Sequence, residues 1–76
     1  MIGSEIRMGG GRFKLREDAL REARRRRLWS AAELGRRAGV AESTVLRIEH
    51  GGRALPGTVR KLAAALEVDP SELLEN

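Results

Sequence analysis

Cysteine and tyrosine are absent from this 76-residue sequence, and histidine, tryptophan and phenylalanine occur once each. Without cysteine there is neither a disulfide framework nor a thiolate metal site, so stability must come from helix packing or from association with another chain. A lone His50 cannot assemble a metal centre or an acid–base pair, so no metal, cofactor or catalytic residue is expected and the chain does not read as an enzyme. Trp29 and Phe13 fall short of the set of exposed rings on which single-stranded RNA modules rely. No apolar run approaches the ~20 residues of a bilayer span, and the first residues lack the apolar core of a signal peptide. A chain this short has room for one core, which excludes a second domain.

What is present is charge, unevenly spread. The formal net charge is +4. From Glu67 to Asn76 there are four acids (Glu67, Asp69, Glu72, Glu75) and no base, so residues 1–66 carry fifteen bases against seven acids, or +8. A basic body with an acidic end points to a polyanionic partner met by a surface that leaves out the C-terminal segment. The run Arg24 to Arg27 is less concentrated than it reads, because successive helical residues point about 100° apart and at most two of the four can meet one surface.

Residues 1–15 form a separate N-terminal arm, flexible or folded as a short strand or hairpin. Ile2, Ile6 and Met8 are candidate strand residues, with Gly9-Gly10-Gly11 as a turn into Arg12–Leu15. The glycines are no phosphate-binding loop, having no preceding strand and no following Lys-Ser/Thr. Residues 16–76 read as helical. Helix 1 runs from about Arg16 to Arg27, with Leu20 and Ala23 on its stripe and acids first, arginines last, as the macrodipole favours. Ser30-Ala31-Ala32-Glu33 is a capping box that opens helix 2, and Gly39 ends it. Helix 3 spans about Glu42 to His50, with Val45 and Ile48 inward and Gly51-Gly52 as its stop; the dipole favours His50 at its end. Pro56 suits the first turn of helix 4, whose stripe is Val59, Leu62, Ala63 and Leu66. Asp69-Pro70-Ser71-Glu72 is a second capping box, opening a short helix 5 through Leu73 and Leu74. The expected fold is all-α, a compact bundle of five helices with no confident strand.

Within it, Ala31 to Gly51 (AAELGRRAGVAESTVLRIEHG) carries the function. Two helices joined by a short turn cross steeply only if the residue at the crossing is small and the turn can adopt positive φ. Gly35 and Gly39 meet the two needs. The outer face of helix 3, Glu42, Ser43, Thr44, Leu46 and Arg47, is then free to enter a major groove. Over roughly Leu20 to Leu74 the sequence resembles the Cro/C1-type (XRE family) helix-turn-helix domain. The resemblance rests on Arg24, on Leu34 to Val40, on Ser43-Thr44-Val45-Leu46-Arg47-Ile48-Glu49 before Gly51, and on Leu62-Ala63-Ala64-Ala65-Leu66-Glu67-Val68.

The resemblance implies a lambda-repressor-like bundle that binds double-stranded DNA as a sequence-specific transcriptional regulator, a cytoplasmic, nucleoid-associated repressor. It implies base contacts from Glu42, Ser43 and Arg47, phosphate contacts from Ser30 at the start of helix 2, from Thr44 and from Arg53, and a structural ion pair between Arg24 and Glu49. Chemically, Arg47 can donate to guanine O6 and N7, a contact worth ~1–3 kcal/mol in discrimination, and Glu42 can accept from cytosine N4 or stabilise the helix N-terminus. Ser43 and Thr44 can donate to the DNA or cap helix 3. The sequence departs from the family at four points: Ala31 lacks the frequent glutamine, Ala41 lacks the Ser/Thr cap, Leu46 replaces a polar residue and can read a thymine methyl, pack on the arm or contact a protein, and the loop between helices 3 and 4 is short. A homodimer through helix 5 (Leu73, Leu74) or the arm is expected on a two-fold operator. One alternative keeps the fold for an antitoxin-like or adaptor role in protein–protein interaction; another has RNA bound through Arg25 and Arg26. Trp29 reads as a core or staple residue beside Ser30.

Overall fold

The computed structural model describes residues 12–75. In chain order these form β1 (Phe13–Lys14), α1 (Ala19–Arg26), α2 (Ala31–Ala38), α3 (Glu42–Glu49), β2 (Arg53–Ala54), α4 (Pro56–Leu66) and a 3-10 turn (Pro70–Glu72). Four α-helices enclose a core in which Leu20, Leu34, Val45, Leu62 and Leu66 are fully buried. α3 and α4 contribute at their expected stripes, Val45 and Ile48 from the first and Val59, Leu62, Ala63 and Leu66 from the second, and α2 contributes Leu34.

The expected bundle without a confident strand is corrected, and the short strand that the sequence allowed within residues 12–15 is present. β1 and β2 pair antiparallel, with Phe13 opposite Ala54 and Lys14 opposite Arg53. Side chains alternate across this ribbon, as the pleat requires. Leu15 and Ala54 are buried, while Lys14 and Arg53 face solvent. Of the segment read as an arm, residues 12–15 therefore belong to the packed fold; the rest of it, including the candidate strand at Ile2–Met8 and the Gly9–Gly11 turn, lies outside the described residues.

Helix 5 is also corrected. Its capping box exists: the Asp69 carboxylate accepts from the Ser71 N–H (2.9 Å) and hydroxyl (2.7 Å), while the Asp69 N–H donates to Glu72 (3.4 Å). Those bonds from Ser71 hold the Asp69 carboxyl below the usual carboxylate range. Only one 3-10 turn follows, because the next residues are recruited elsewhere. Leu73 is buried, Leu74 bridges Leu15, the Arg16 N–H donates to the Leu73 carbonyl (2.8 Å) and the Glu75 N–H to the Lys14 carbonyl (3.0 Å). Leu73 and Leu74, expected to face a second copy, are thus engaged within the chain.

The same clasp explains why α1 starts at Ala19 rather than Arg16. Arg16 is held extended, its guanidinium also on the Glu72 carbonyl (Nε at 3.0 Å), and Asp18 adopts φ 65° before the helix begins. α1 closes with the Leu28 N–H on the Arg25 carbonyl and the Trp29 N–H on the Arg24 carbonyl, which places Leu28 in the left-handed region at φ 62°. A glycine is usual there; this leucine instead stands almost wholly in solvent. At α2 the expected capping box is half formed. Ser30 Oγ accepts from the Glu33 N–H (3.0 Å), but the Glu33 carboxylate turns forward to Arg36 and Arg37 (2.5 Å to the latter). Two guanidiniums one turn ahead outcompete a neutral backbone donor.

Candidate nucleic-acid interface

The crossing of α2 and α3 is set by backbone contact. Gly39 takes φ 73°, the turn passes through Val40, and the Val40 N–H donates to the Gly35 carbonyl at 2.8 Å. A Cβ on Gly35 would lie 2.4 Å from the Val40 carbonyl oxygen, so only glycine lets the chain come this close. With Val45 and Ile48 facing inward, Glu42, Ser43, Leu46 and Arg47 are left exposed along one side of α3, and Thr44 is half-buried at its margin. α3 starts at Ala41 with no side-chain cap, so Ser43 and Thr44 do not take over that role and their hydroxyls remain available.

Arg47 reaches along the surface rather than straight out. Its Nη1 donates to the Arg53 carbonyl at 2.9 Å, passing over Gly52, where a Cβ would meet the Arg47 side chain and carbonyl within 3 Å. The expected base-contacting and phosphate-contacting arginines are thereby joined: Glu42, Ser43 and Arg47 share the α3 face, and Arg53 continues it onto β2. At the end of α3 the His50 ring pairs with the Leu46 carbonyl (Nδ1 at 2.7 Å). Ser30 stands apart at the start of α2, its oxygen occupied by Glu33 and its hydroxyl hydrogen free to donate.

Arg24 and Glu49 meet behind this surface. Arg24 Nε and Nη2 donate to the two Glu49 oxygens at 2.6 and 3.0 Å, and Nη1 donates to the Trp29 carbonyl at 3.0 Å. The side chains are only 15% and 5% exposed. Hydrogen bonding to Glu49 pushes the Arg24 pKa above its ordinary value against the opposing effect of burial, so the guanidinium stays charged. This fork ties α1 and the α1–α2 loop to the far end of α3. Trp29 is half-buried against the core with Arg37 4.5 Å and Arg27 5.3 Å from its ring centre, a cation–π arrangement on the packing residue the sequence suggested.

A family model described as helix-turn-helix, of the Cro/C1 type, matches residues 20–73. The chain belongs to the Cro/C1-type helix-turn-helix family. No curated protein and no solved structure shows a significant match. Membership makes this chain a DNA-binding regulator of the XRE type, and the matched residues contain the whole α2–turn–α3 unit together with Arg24, Glu49 and Arg53. No helix among the described residues is long and apolar enough to cross a membrane. What the sequence did not point to in this Cro/C1-type domain is Lys14, which the β1–β2 register sets directly opposite Arg53. The alternation Phe13-Lys14-Leu15 (apolar, basic, apolar) is the one local signal of it.

Proposed function

We propose that this regulator is a repressor that reads double-stranded DNA with α3 in the major groove. The observation that supports this best is the exposed α3 face, polar at Glu42, Ser43 and Arg47, standing clear of a core that takes only Val45 and Ile48 from the same helix. On this reading Ser43 and Arg47 meet base edges, Arg47 exchanging its bond to the Arg53 carbonyl for guanine O6 and N7, and Leu46 packs on a thymine methyl. Glu42 accepts from a cytosine amine at the edge of the contact. Arg53, Thr44 and Ser30 hold phosphates and fix the register. A single domain of this size supplies few base contacts, so two copies on a two-fold operator, half-sites about one helical turn apart, supply the specificity.

Selection from random duplexes, followed by affinity measured against salt for the winner and a scrambled duplex, tests the proposal. Arg47→Ala should relax preference at one base position, whereas Arg53→Ala should weaken all duplexes alike and lower the salt slope by about 1. Equal affinity for winner and scramble would reject sequence reading and leave the α3 face, with Leu46 at its centre, to the antitoxin-like or adaptor role.

A further inference from the structure

The two-stranded sheet formed by the described residues contains an unfavourable pair. Lys14 and Arg53 lie directly across the β1–β2 ribbon on its solvent face, where opposed side chains have Cβ atoms only about 5 Å apart and like charges destabilise the pairing. Neither is neutralised: among the described residues no carboxylate lies within ion-pair distance of Lys14, Arg53 or the preceding Arg12. Glu75, the acid next to β1, meets Lys14 through backbone, its N–H on the Lys14 carbonyl. The strand itself cannot move to relieve the repulsion, because Leu15 is anchored in the core and bridged to Leu74 on the other side. A local rule is broken and the surrounding structure enforces the breach, the signature of a site kept for a ligand.

A polyanion running on from the α3 surface would relieve the repulsion. The Arg47 guanidinium reaches from α3 to the Arg53 carbonyl, which brings it to the backbone of β2 beside the Lys14–Arg53 pair. We propose that the β1–β2 ribbon is a phosphate clamp, in which Lys14 and Arg53 close from two strands on the sugar-phosphate backbone beside the groove that α3 occupies. This rests on the DNA reading above and adds to it a strand, β1, and a residue, Lys14, as a second anchor.

The clamp makes two predictions of opposite sign for one substitution. Lys14→Gln removes the repulsion in the free protein and should raise its thermal midpoint by about 1–4 °C. The same change should lower the slope of log affinity against log salt by about 1 and weaken the selected and scrambled duplexes equally, about eightfold near 0.1 M salt. Arg26→Gln, on α1, serves as the charge-matched control and should leave the slope unchanged. An unaltered slope for Lys14→Gln in a chain that still selects its duplex would overturn the clamp while sparing the α3 reading. Weakening confined to the selected duplex would overturn it too, since it makes Lys14 a reader of bases. A wild-type chain that fails to discriminate duplexes, yet loses slope on Lys14→Gln, would keep the clamp and defeat the α3 reading.

Discussion

Replacing Gly35 by alanine should destabilise the domain by about 3 kcal/mol and abolish DNA binding, although alanine is the better helix former. Intrinsic propensity alone favours the substitution by about 1 kcal/mol, since Gly35 lies inside α2. The added methyl, however, would stand 2.4 Å from the Val40 carbonyl oxygen, a backbone atom that cannot rotate aside. Either α3 is pushed away from α2, breaking the Val40 N–H bond to the Gly35 carbonyl and opening the core around Leu34 and Val45, or the turn unfolds; overpacking against fixed backbone at the top of its ~1–3 kcal/mol range, with about 1 kcal/mol for the lost hydrogen bond, outweighs the propensity gain and leaves the stated cost. Gly39→Ala is the informative comparison. Nothing lies near a Cβ there, and its cost is that of placing a side chain at φ 73°, about 1–2 kcal/mol. Urea unfolding of both variants, alongside duplex affinity, checks the order; a Gly35→Ala protein as stable as wild type would remove steric contact as the determinant of the crossing.

Glu49→Ala should cost about 3 kcal/mol or more, because it strands the Arg24 guanidinium in a site where that side chain is only 15% exposed. A domain of this size has about 5 kcal/mol in total, so about 2 kcal/mol or less would remain and a few per cent or more of the variant would be unfolded. The double replacement Arg24→Met with Glu49→Met should be much milder, since it removes both charges together and leaves chiefly the Trp29 carbonyl without its donor. Equal destabilisation of single and double variants in urea would show that the loss of the fork's own bonds, not a stranded charge, carries the cost. The pH dependence follows from the sign of the shift. A cation whose folded pKa is raised stabilises the fold fully below its unfolded pKa and loses that contribution only as pH rises through the folded value. For Arg24 both lie far into the alkaline range, so the fork holds at constant strength across neutral pH.

The helical part of this fold was legible because its punctuation is local. Ser30 and Gly39 bracket α2, Pro56 opens α4, and the apolar stripes predicted for α3 and α4 are buried. Three residues in the left-handed region, Asp18, Leu28 and Glu67, were not legible, since none is glycine and each is held there by bonds made after it in the chain or across the fold. Two-residue strands contain no period to read, and β1 exists only because β2 and residues 73–75 flank it. For the same reason the α3 face could be named from sequence while its neighbour Lys14 could not: adjacency on a helix is written in the spacing, adjacency across a ribbon only in the pairing. The turn of Arg47 toward Arg53 was equally hidden, depending on the missing Cβ of Gly52.

The stitching of residues 13–16 to residues 72–75 gives the domain the topology of a closed loop. Trimming the polypeptide back to Ser71 would fray its opposite extremity, releasing β1 and, with it, the partner that steadies Arg53. On the clamp proposed above, affinity for DNA would then fall together with stability, although Glu72 and Glu75 make residues 72–75 themselves acidic.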